Sequence, residues 1–107
     1  MAVIQSNDSG FHDLIGKNPF VIVKFYASWC GSCKLFAAKY RRISDSSEFQ
    51  KVVFVDVNAE DNPTARKLAG VNNLPFFATF FNGQLLESTA TSREDRVLEL
   101  LNNLLKK

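Results

Sequence analysis

Cys30 and Cys33 are the two cysteines of the chain, and their C-x-x-C spacing makes them the first candidates for chemistry. This spacing serves thiol–disulfide exchange and also zinc binding. A tetrahedral zinc needs two further cysteine or histidine ligands, whereas the chain holds one histidine, His12, in a predicted helix. Zinc within one chain is therefore disfavoured, although a metal bridging two chains stays open. We expect a redox-active pair and no metal.

The position of the pair strengthens the redox interpretation. It follows an apolar, β-branched and aromatic run at residues 20–26, which is typical of a strand buried on both faces, and it opens a predicted helix at residues 30–43. A helix N-terminus favours a thiolate, so Cys30 is the predicted nucleophile. Cys33 lies one turn further on the packed face. We therefore expect an exposed attacking sulfur at Cys30 and a shielded resolving sulfur at Cys33.

The remaining segments alternate between strand-like and helix-like patterns. Strands are predicted at residues 2–5, 20–26, 52–57, 76–81 and 85–89, and helices at 7–15, 30–43, 63–69 and from 92 to the C-terminus. The local signals are Gly16 as a helix stop, Asn62-Pro63 as a helix start, Gly70 as its end, Asn82-Gly83 as a hairpin and Ser92 to Asp95 as a capping box. The order βαβαβαββα predicts an α/β fold, with a mixed central sheet flanked by helices on both faces, as a single domain over residues 1–107.

Composition narrows the classes of function. The 107 residues are 46% hydrophobic with a net charge of +2, which gives no concentrated basic face for nucleic acid. The densest basic run, Lys34, Lys39, Arg41 and Arg42, is predicted to be the solvated side of a helix. The apolar stretches are too short to span a membrane, and residues 1–10 do not read as a signal peptide. We expect a cytoplasmic protein, in which a purely structural disulfide is disfavoured.

Three segments resemble the thioredoxin family over essentially the whole chain. Residues 24–34 (KFYASWCGSCK) are similar to its active-site segment, residues 71–75 (VNNLP) to its cis-proline loop, and residues 80–83 (FFNG) to its hairpin. The resemblance implies a thiol–disulfide oxidoreductase without a cofactor, acting on protein disulfides in redox homeostasis and recharged by a thioredoxin-reductase-type partner. We expect a monomer.

The resemblance also assigns residues to the docking surface. Pro75 is expected to be cis, with the backbone of Leu74 pairing with the main chain of a substrate. Trp29 is expected to be a surface platform that shields the reactive sulfur, and Gly31 and Ser32 complete the substrate-binding segment.

The chain departs from the family pattern at several positions. Ser32 replaces the usual proline and restores an N–H that could donate to the Cys30 thiolate, which would make the protein a stronger oxidant. Lys24 stands where the family has a buried aspartate, and Asp56 where many members have a lysine. A buried Lys24 must pair with Asp56 or lose its proton, and the alternative is that its ammonium extends to water from the end of the strand. Lys24 and Asp56 are both candidates for proton transfer at Cys33.

Other departures concern shape. Ala38 replaces a helix-kinking proline, so the helix should run straighter. Phe76 and Thr91 are expected to add bulk near the docking surface.

Three hypotheses follow for function. The first is a protein disulfide reductase, and the second is a more oxidising disulfide oxidase or isomerase. The third is a non-catalytic binding module whose contact surface would include Phe76 and Phe77.

Overall fold

The computed structural model describes residues 3–107, which form a five-stranded sheet and four α-helices. The strands are β1 (Ile4–Ser6), β2 (Phe20–Tyr26), β3 (Val53–Asn58), β4 (Phe76–Phe81) and β5 (Gln84–Ala90). The helices are α1 (Asp8–Lys17), α2 (Gly31–Ser44), α3 (Pro63–Ala69) and α4 (Glu94–Leu105), and a 3-10 turn at Ser47–Phe49 precedes β3. The predicted order of elements is confirmed.

The strand order is β1-β3-β2-β4-β5. β3 is parallel to both of its neighbours, β1 and β2, whereas β4 is antiparallel to β2 and to β5. The chain thus leaves β3 through α3, skips the neighbouring position and returns on the far side of β2. This arrangement places β2 at the centre of the mixed sheet that the sequence predicts.

Alternation along β2 divides the core into two layers. Val21, Val23 and Phe25 face α1 and α3, while Ile22 faces α2 and α4. The contacts of the strand with all four helices are apolar, which explains why its sequence shows no polar face. Lys24 is the exception on the α2 side, where it is only 3% exposed.

The first strand and the C-terminal end of α1 differ from the prediction. Residue 2 of the predicted first strand lies outside the described residues, and β1 spans Ile4–Ser6. Gly16 does not stop α1, because its backbone stays out of the left-handed region and the helix continues to Lys17. Beyond the end of the helix, the side-chain amide of Asn18 donates to the backbone carbonyl of Leu14, at 2.9 Å.

The N-terminus of α3 is capped from α1 rather than from its own N-cap residue. Asn62 occupies the predicted position, but its side chain accepts from the Asp8 N–H, at 2.8 Å, instead of bonding α3. The Asp8 carboxylate accepts from the N–H groups of Thr64 (3.0 Å) and Ala65 (2.8 Å). Each helix therefore satisfies the other's unpaired N–H groups, which ties α1 to α3.

Replacing Asp8 by alanine should lower the free energy of unfolding by about 1–2 kcal/mol, because two N–H groups at the start of α3 lose their acceptor. The matched control is Asp13→Ala, which removes an exposed carboxylate 3.4 Å from Lys17 in the same helix. That variant should change the stability by less than about 0.5 kcal/mol. Urea unfolding of both variants measures the difference, and equal losses would contradict the cross-capping.

The C-terminal half confirms the hairpin and corrects the start of α4. Asn82 (φ 51°) and Gly83 (φ 84°) both adopt the left-handed conformation that a two-residue hairpin requires. The capping box predicted from Ser92 is wrong, because α4 begins at Glu94 with Arg93 as its N-cap. Asp95 instead binds the guanidinium of Arg93, at 2.7 Å.

Candidate active site

The cysteine pair closes a disulfide across the first turn of α2. Cys30 is the N-cap residue and Cys33 lies one turn further, with 5.3 Å between their Cα atoms. The backbone N–H of Cys33 donates to the Cys30 Sγ, at 3.2 Å. The predicted position of Cys30 at the positive end of a helix is confirmed, and the N–H of Cys33 points at the atom that would carry the charge of a thiolate.

The predicted exposure of Cys30 is wrong for this oxidised form. Its exposed fraction is 5%, against 3% for Cys33. Both cysteines are covered because they pack in a small cluster with Ala27, Tyr26 and Leu74. Exposure therefore does not separate the two cysteines here, and their positions on the helix must do so.

Ser32 brings a hydroxyl to the same sulfur. Its Oγ lies 3.6 Å from the Cys30 Sγ. A disulfide sulfur carries no proton, so the hydroxyl is the donor in this contact. The sequence predicted only an additional backbone N–H at this position, and the side chain is a donor that this reasoning missed.

Trp29 is held on the surface by Glu60. The indole is 70% exposed, and its Nε1–H donates to the Glu60 Oε2 at 3.1 Å. The other carboxylate oxygen accepts from the N–H (3.3 Å) and the hydroxyl (3.2 Å) of Ser28. The predicted surface position of Trp29 is confirmed. Sequence reasoning missed Glu60, although residues that follow the parallel neighbours β2 and β3 must meet at one edge of the sheet.

The Leu74–Pro75 peptide bond is cis. The N–H of Leu74 donates to the side-chain oxygen of Asn73 at 2.9 Å, and the Pro75 carbonyl accepts from Thr91 at 3.1 Å. A groove of about 410 Å³ lies between Leu74 and Trp29. The proline loop thus faces the tryptophan across an open groove beside the disulfide.

Lys24 and Asp56 lie directly opposite each other on β2 and β3, with 3.4 Å between Nζ and Oδ1. The predicted pairing is confirmed, and the alternative in which Lys24 extends to water is wrong, since the side chain is 3% exposed. Among residues 3–107, the Asp56 Oδ1 has no hydrogen-bond partner of good geometry, so its contact with Lys24 is mainly one of charge.

A cavity of about 210 Å³ connects this ion pair with the cysteines. It is lined by Lys24, Asp56 and Cys33, together with Tyr26, Lys34 and Ala37. Burial lowers the pKa of Lys24 and raises the pKa of Asp56, and in each case the charge of the partner opposes the shift. These shifts bring the pKa values of both groups closer to that of a cysteine thiol.

Tyr40 packs beside the ion pair and contacts both strands that carry it. Its buried hydroxyl contacts the carbonyls of Ile22 (3.1 Å) and Val55 (2.9 Å) on two neighbouring strands, and burial raises its pKa well above the ordinary value. The Lys24 ammonium lies 4.9 Å from the centre of its ring. The electron-rich ring face therefore offers the buried cation a second favourable contact.

The predicted surface positions of Phe76 and Phe77 are wrong. Phe76 is 2% exposed and packs on Phe25, with 6.3 Å between ring centres, and Phe77 is fully buried against α2 and α4. Residues of β4 alternate between the two core layers, so neither ring reaches the docking surface. Ala38 lies on the exposed side of α2, and the helix is continuous from Gly31 to Ser44.

Residues 3–107 contain no group of three or more His, Cys, Asp or Glu side chains placed to hold a metal ion. No helix within the same residues combines the length and apolar character that crossing a membrane requires.

A disulfide across the first turn of a helix, beside a cis-proline loop in a five-stranded mixed sheet, defines the thioredoxin-fold class of thiol–disulfide oxidoreductases. The family model for thioredoxin matches residues 2–104. The chain belongs to the thioredoxin family. Members of this family act on protein disulfides through their cysteine pair, need no cofactor and are themselves reduced by reductases.

Individual relatives agree with this assignment. The thioredoxin of Griffithsia pacifica is 32% identical over 107 residues, which cover 99% of this chain and 95% of that protein. The thioredoxin of Malassezia sympodialis is 33% identical over 86 residues, or 80% of this chain and 81% of that protein. The solution structure of oxidised thioredoxin from Plasmodium falciparum matches with a TM-score of 0.85 at 26% identity, covering 95% of this chain and 97% of that one.

Proposed function

We propose that this thioredoxin-family oxidoreductase works as a protein disulfide reductase, with Cys30 as the nucleophile and Cys33 as the resolving thiol. The observation that carries the proposal is the asymmetry of the pair on α2. Cys30 is the N-cap and receives the Cys33 N–H at 3.2 Å, whereas Cys33 lines the cavity of Lys24 and Asp56. One sulfur is placed to exist as a thiolate, and the other is placed beside groups that can take its proton.

The reaction runs in two balanced steps from the reduced protein. The Cys30 thiolate attacks one sulfur of a client disulfide, forms a mixed disulfide and releases the other client sulfur as a thiolate. Cys33 then loses its proton and attacks the Cys30 Sγ, which restores the observed disulfide and releases the second client thiol. Two electrons pass to the client, and a thioredoxin-reductase-type partner returns them to the cysteine pair.

Lys24 and Asp56 handle the proton of Cys33 in this scheme. Asp56, whose pKa is raised by burial, is the base, because its conjugate acid is then closer to a thiol in strength. Lys24 remains the neighbouring cation and favours the Cys33 thiolate by its charge. The roles of the acid and the lysine are thereby exchanged between β2 and β3 relative to the family pattern.

The client docks across the disulfide between Trp29 and the proline loop, over Gly31 and Ser32. The groove of about 410 Å³ that Trp29 and Leu74 line borders this surface and supports the assignment. Pairing of the Leu74 backbone with the main chain of a client requires the Leu74 N–H to leave the side chain of Asn73. We further propose that the chain acts as a single-domain, cytoplasmic monomer without nucleic-acid partners.

The contact of Ser32 with Cys30 favours a second candidate, a more oxidising oxidase or isomerase. A donor to the Cys30 thiolate stabilises the reduced protein and therefore raises its reduction potential. For the binding-module hypothesis, burial of Phe76 and Phe77 removes the surface on which it rested.

Equilibration with glutathione buffers separates the two directions. The reductase proposal expects a potential below the cytosolic glutathione poise, about −220 mV or lower, together with reduction of protein disulfides by the reduced chain. A potential near −120 mV, with oxidation of client dithiols, would assign the oxidase role instead.

Replacing Ser32 by alanine should lower the reduction potential by about 30 mV, which corresponds to about 1.4 kcal/mol, because the Cys30 thiolate loses one donor. Ser32→Pro should lower it further, since proline also removes the backbone N–H. Ser28→Ala is the matched control, because its hydroxyl binds Glu60 and not a sulfur. An unchanged potential in Ser32→Ala would show that the hydroxyl has no part in the thiolate's stability.

A further inference from the structure

α2 carries an excess of positive charge, and none of its cations is a reacting group in the proposed scheme. Its fourteen residues include Lys34, Lys39, Arg41 and Arg42 and no acidic residue. All four lie on the exposed side of the helix, as the sequence predicts. Among residues 3–107, Arg42 is the member that forms an ion pair, at 2.7 Å from Glu94, and Lys34, Lys39 and Arg41 are exposed without a carboxylate within 4 Å. Lys34 also lines the cavity beside Cys33, and the charge of Arg41 contributes to lowering the pKa of Lys24 and opposes the raised pKa of Asp56.

The same surface holds the most exposed large hydrophobic side chain among the described residues. Leu35 is 80% exposed and lies between these cations, two residues after Cys33. Trp29, at 70%, flanks the disulfide on its other side. Leu35 and Trp29 are the two most exposed large hydrophobic side chains among the described residues. Apolar and aromatic side chains are typical of the core of a contact surface for a protein rather than for a polyanion such as nucleic acid.

Distances along the helix place the charges within reach of a client that is bound at the disulfide. With a rise of 1.5 Å per residue, Lys39 lies about 9 Å beyond Cys33 along the helix axis and Arg41 about 12 Å. The Debye length at physiological ionic strength is about 8 Å, so these charges act on the flanks of a docked client and not on distant ones.

We propose that the exposed face of α2, comprising Lys34, Leu35, Lys39 and Arg41, docks client proteins that carry an acidic segment next to the disulfide. The inference rests on the proposed reductase function and names its preferred substrates. The cations attract the acidic segment and speed up association, while Leu35 receives an apolar side chain of the client. Specificity among disulfides of equal chemistry then follows from the charge around them.

The test uses two synthetic peptides that contain the same disulfide, one flanked by three glutamates and the other by three lysines. The reduced protein should reduce the acidic peptide at least about fivefold faster at low salt, and the difference should disappear in 0.5–1 M salt, where the Debye length is only about 3–4 Å. Hydroxyethyl disulfide, which is small and uncharged, reports the intact chemistry of the cysteines.

Lys39→Glu should lower the rate for the acidic peptide about fivefold and leave the rate for hydroxyethyl disulfide unchanged. Lys67→Glu is the matched control, with the same change of charge on α3 at the opposite face of the sheet. Leu35→Ala should weaken only the peptides with an apolar side chain beside the disulfide, whereas Leu68→Ala, at an exposed leucine of α3, should not.

Equal rates for the two peptides, or equal effects of Lys39→Glu and Lys67→Glu, would overturn the proposal while activity on hydroxyethyl disulfide keeps the reductase function. Binding of anionic vesicles or RNA that requires Lys39, without any charge preference among peptides, would also overturn it. If the unmodified protein reduced none of the disulfide substrates, this result would instead refute the proposed function itself.

Discussion

A Cys33→Ser variant is expected to remain attached to its client as a mixed disulfide through Cys30. The first step of exchange needs only the Cys30 thiolate, whereas release needs attack by the sulfur at position 33. Turnover should fall by about three orders of magnitude or more, as expected when a reacting group is removed. Non-reducing electrophoresis of the variant with a disulfide-containing protein measures the trapped species, which added dithiothreitol should release.

Cys30→Ser is the paired control and should trap no client through Cys33. Cys33 lies one turn inside α2, on its buried face. Its N–H donates to the Cys30 Sγ, so it stabilises a thiolate at position 30 and not at position 33. Trapping of equal amounts by the two variants would contradict the assignment of nucleophile and resolving thiol.

Replacing both members of the buried ion pair, as Lys24→Met with Asp56→Leu, should increase the free energy of unfolding by about 1–2 kcal/mol. Removing a buried pair restores hydrophobic packing without the cost of taking two charges from water. The gain is at the lower end of the usual range because the Asp56 side chain keeps 24% of its exposure. Asp56→Leu alone should instead cost about 3 kcal/mol, since it leaves the Lys24 ammonium buried without its counter-charge.

The pH dependence of stability follows from the two pKa shifts. Folding raises the pKa of Asp56, so the folded state binds the extra proton and stability falls as the pH rises from the ordinary aspartate pKa to the raised one. Folding lowers the pKa of Lys24, so the unfolded state binds more protons and stability rises between the lowered and the ordinary lysine pKa. The cost of the pair is therefore greatest between these two windows, around neutral pH.

Urea unfolding across this pH range should show both slopes in the unmodified chain and neither in the double variant. The double variant should also slow the release of a mixed disulfide, by about tenfold for each unit by which the pKa of the Cys33 thiol increases. Release at an unchanged rate would remove Lys24 and Asp56 from the proton transfer and leave them a purely structural pair.

Local sequence signals predicted the elements that position the site. Phe20–Tyr26 is apolar except for Lys24, and the structure has the strand with these bounds. Gly70 ends α3 with a φ of 74°, whereas Gly16 continues α1. The two glycines are alike in sequence. The structure shows that only Gly70 of this pair adopts the left-handed conformation.

The cysteine pair and the pairing of Lys24 with Asp56 could also be predicted, because both depend on residue types within one helix turn or on neighbouring strands. The hydrogen bonds of Glu60 to Trp29 and of Asp8 to α3 were not predicted, because they join loops and helix ends, whose side chains no strand pairing places opposite each other. The covering of Cys30 was missed for a related reason. The side chains that cover it, Ala27 and Leu74, belong to two different loops, and no local sequence pattern shows that they meet.

The exchanged caps of α1 and α3 also determine how the molecule opens. The N-terminal helix cannot separate from the sheet without leaving the amides of Thr64 and Ala65 without an acceptor, and unwinding of α3 likewise disturbs Asn62, which holds the amide of Asp8. These two segments, distant along the chain, therefore form one cooperative unit. Their amide hydrogens should exchange with solvent at a common rate.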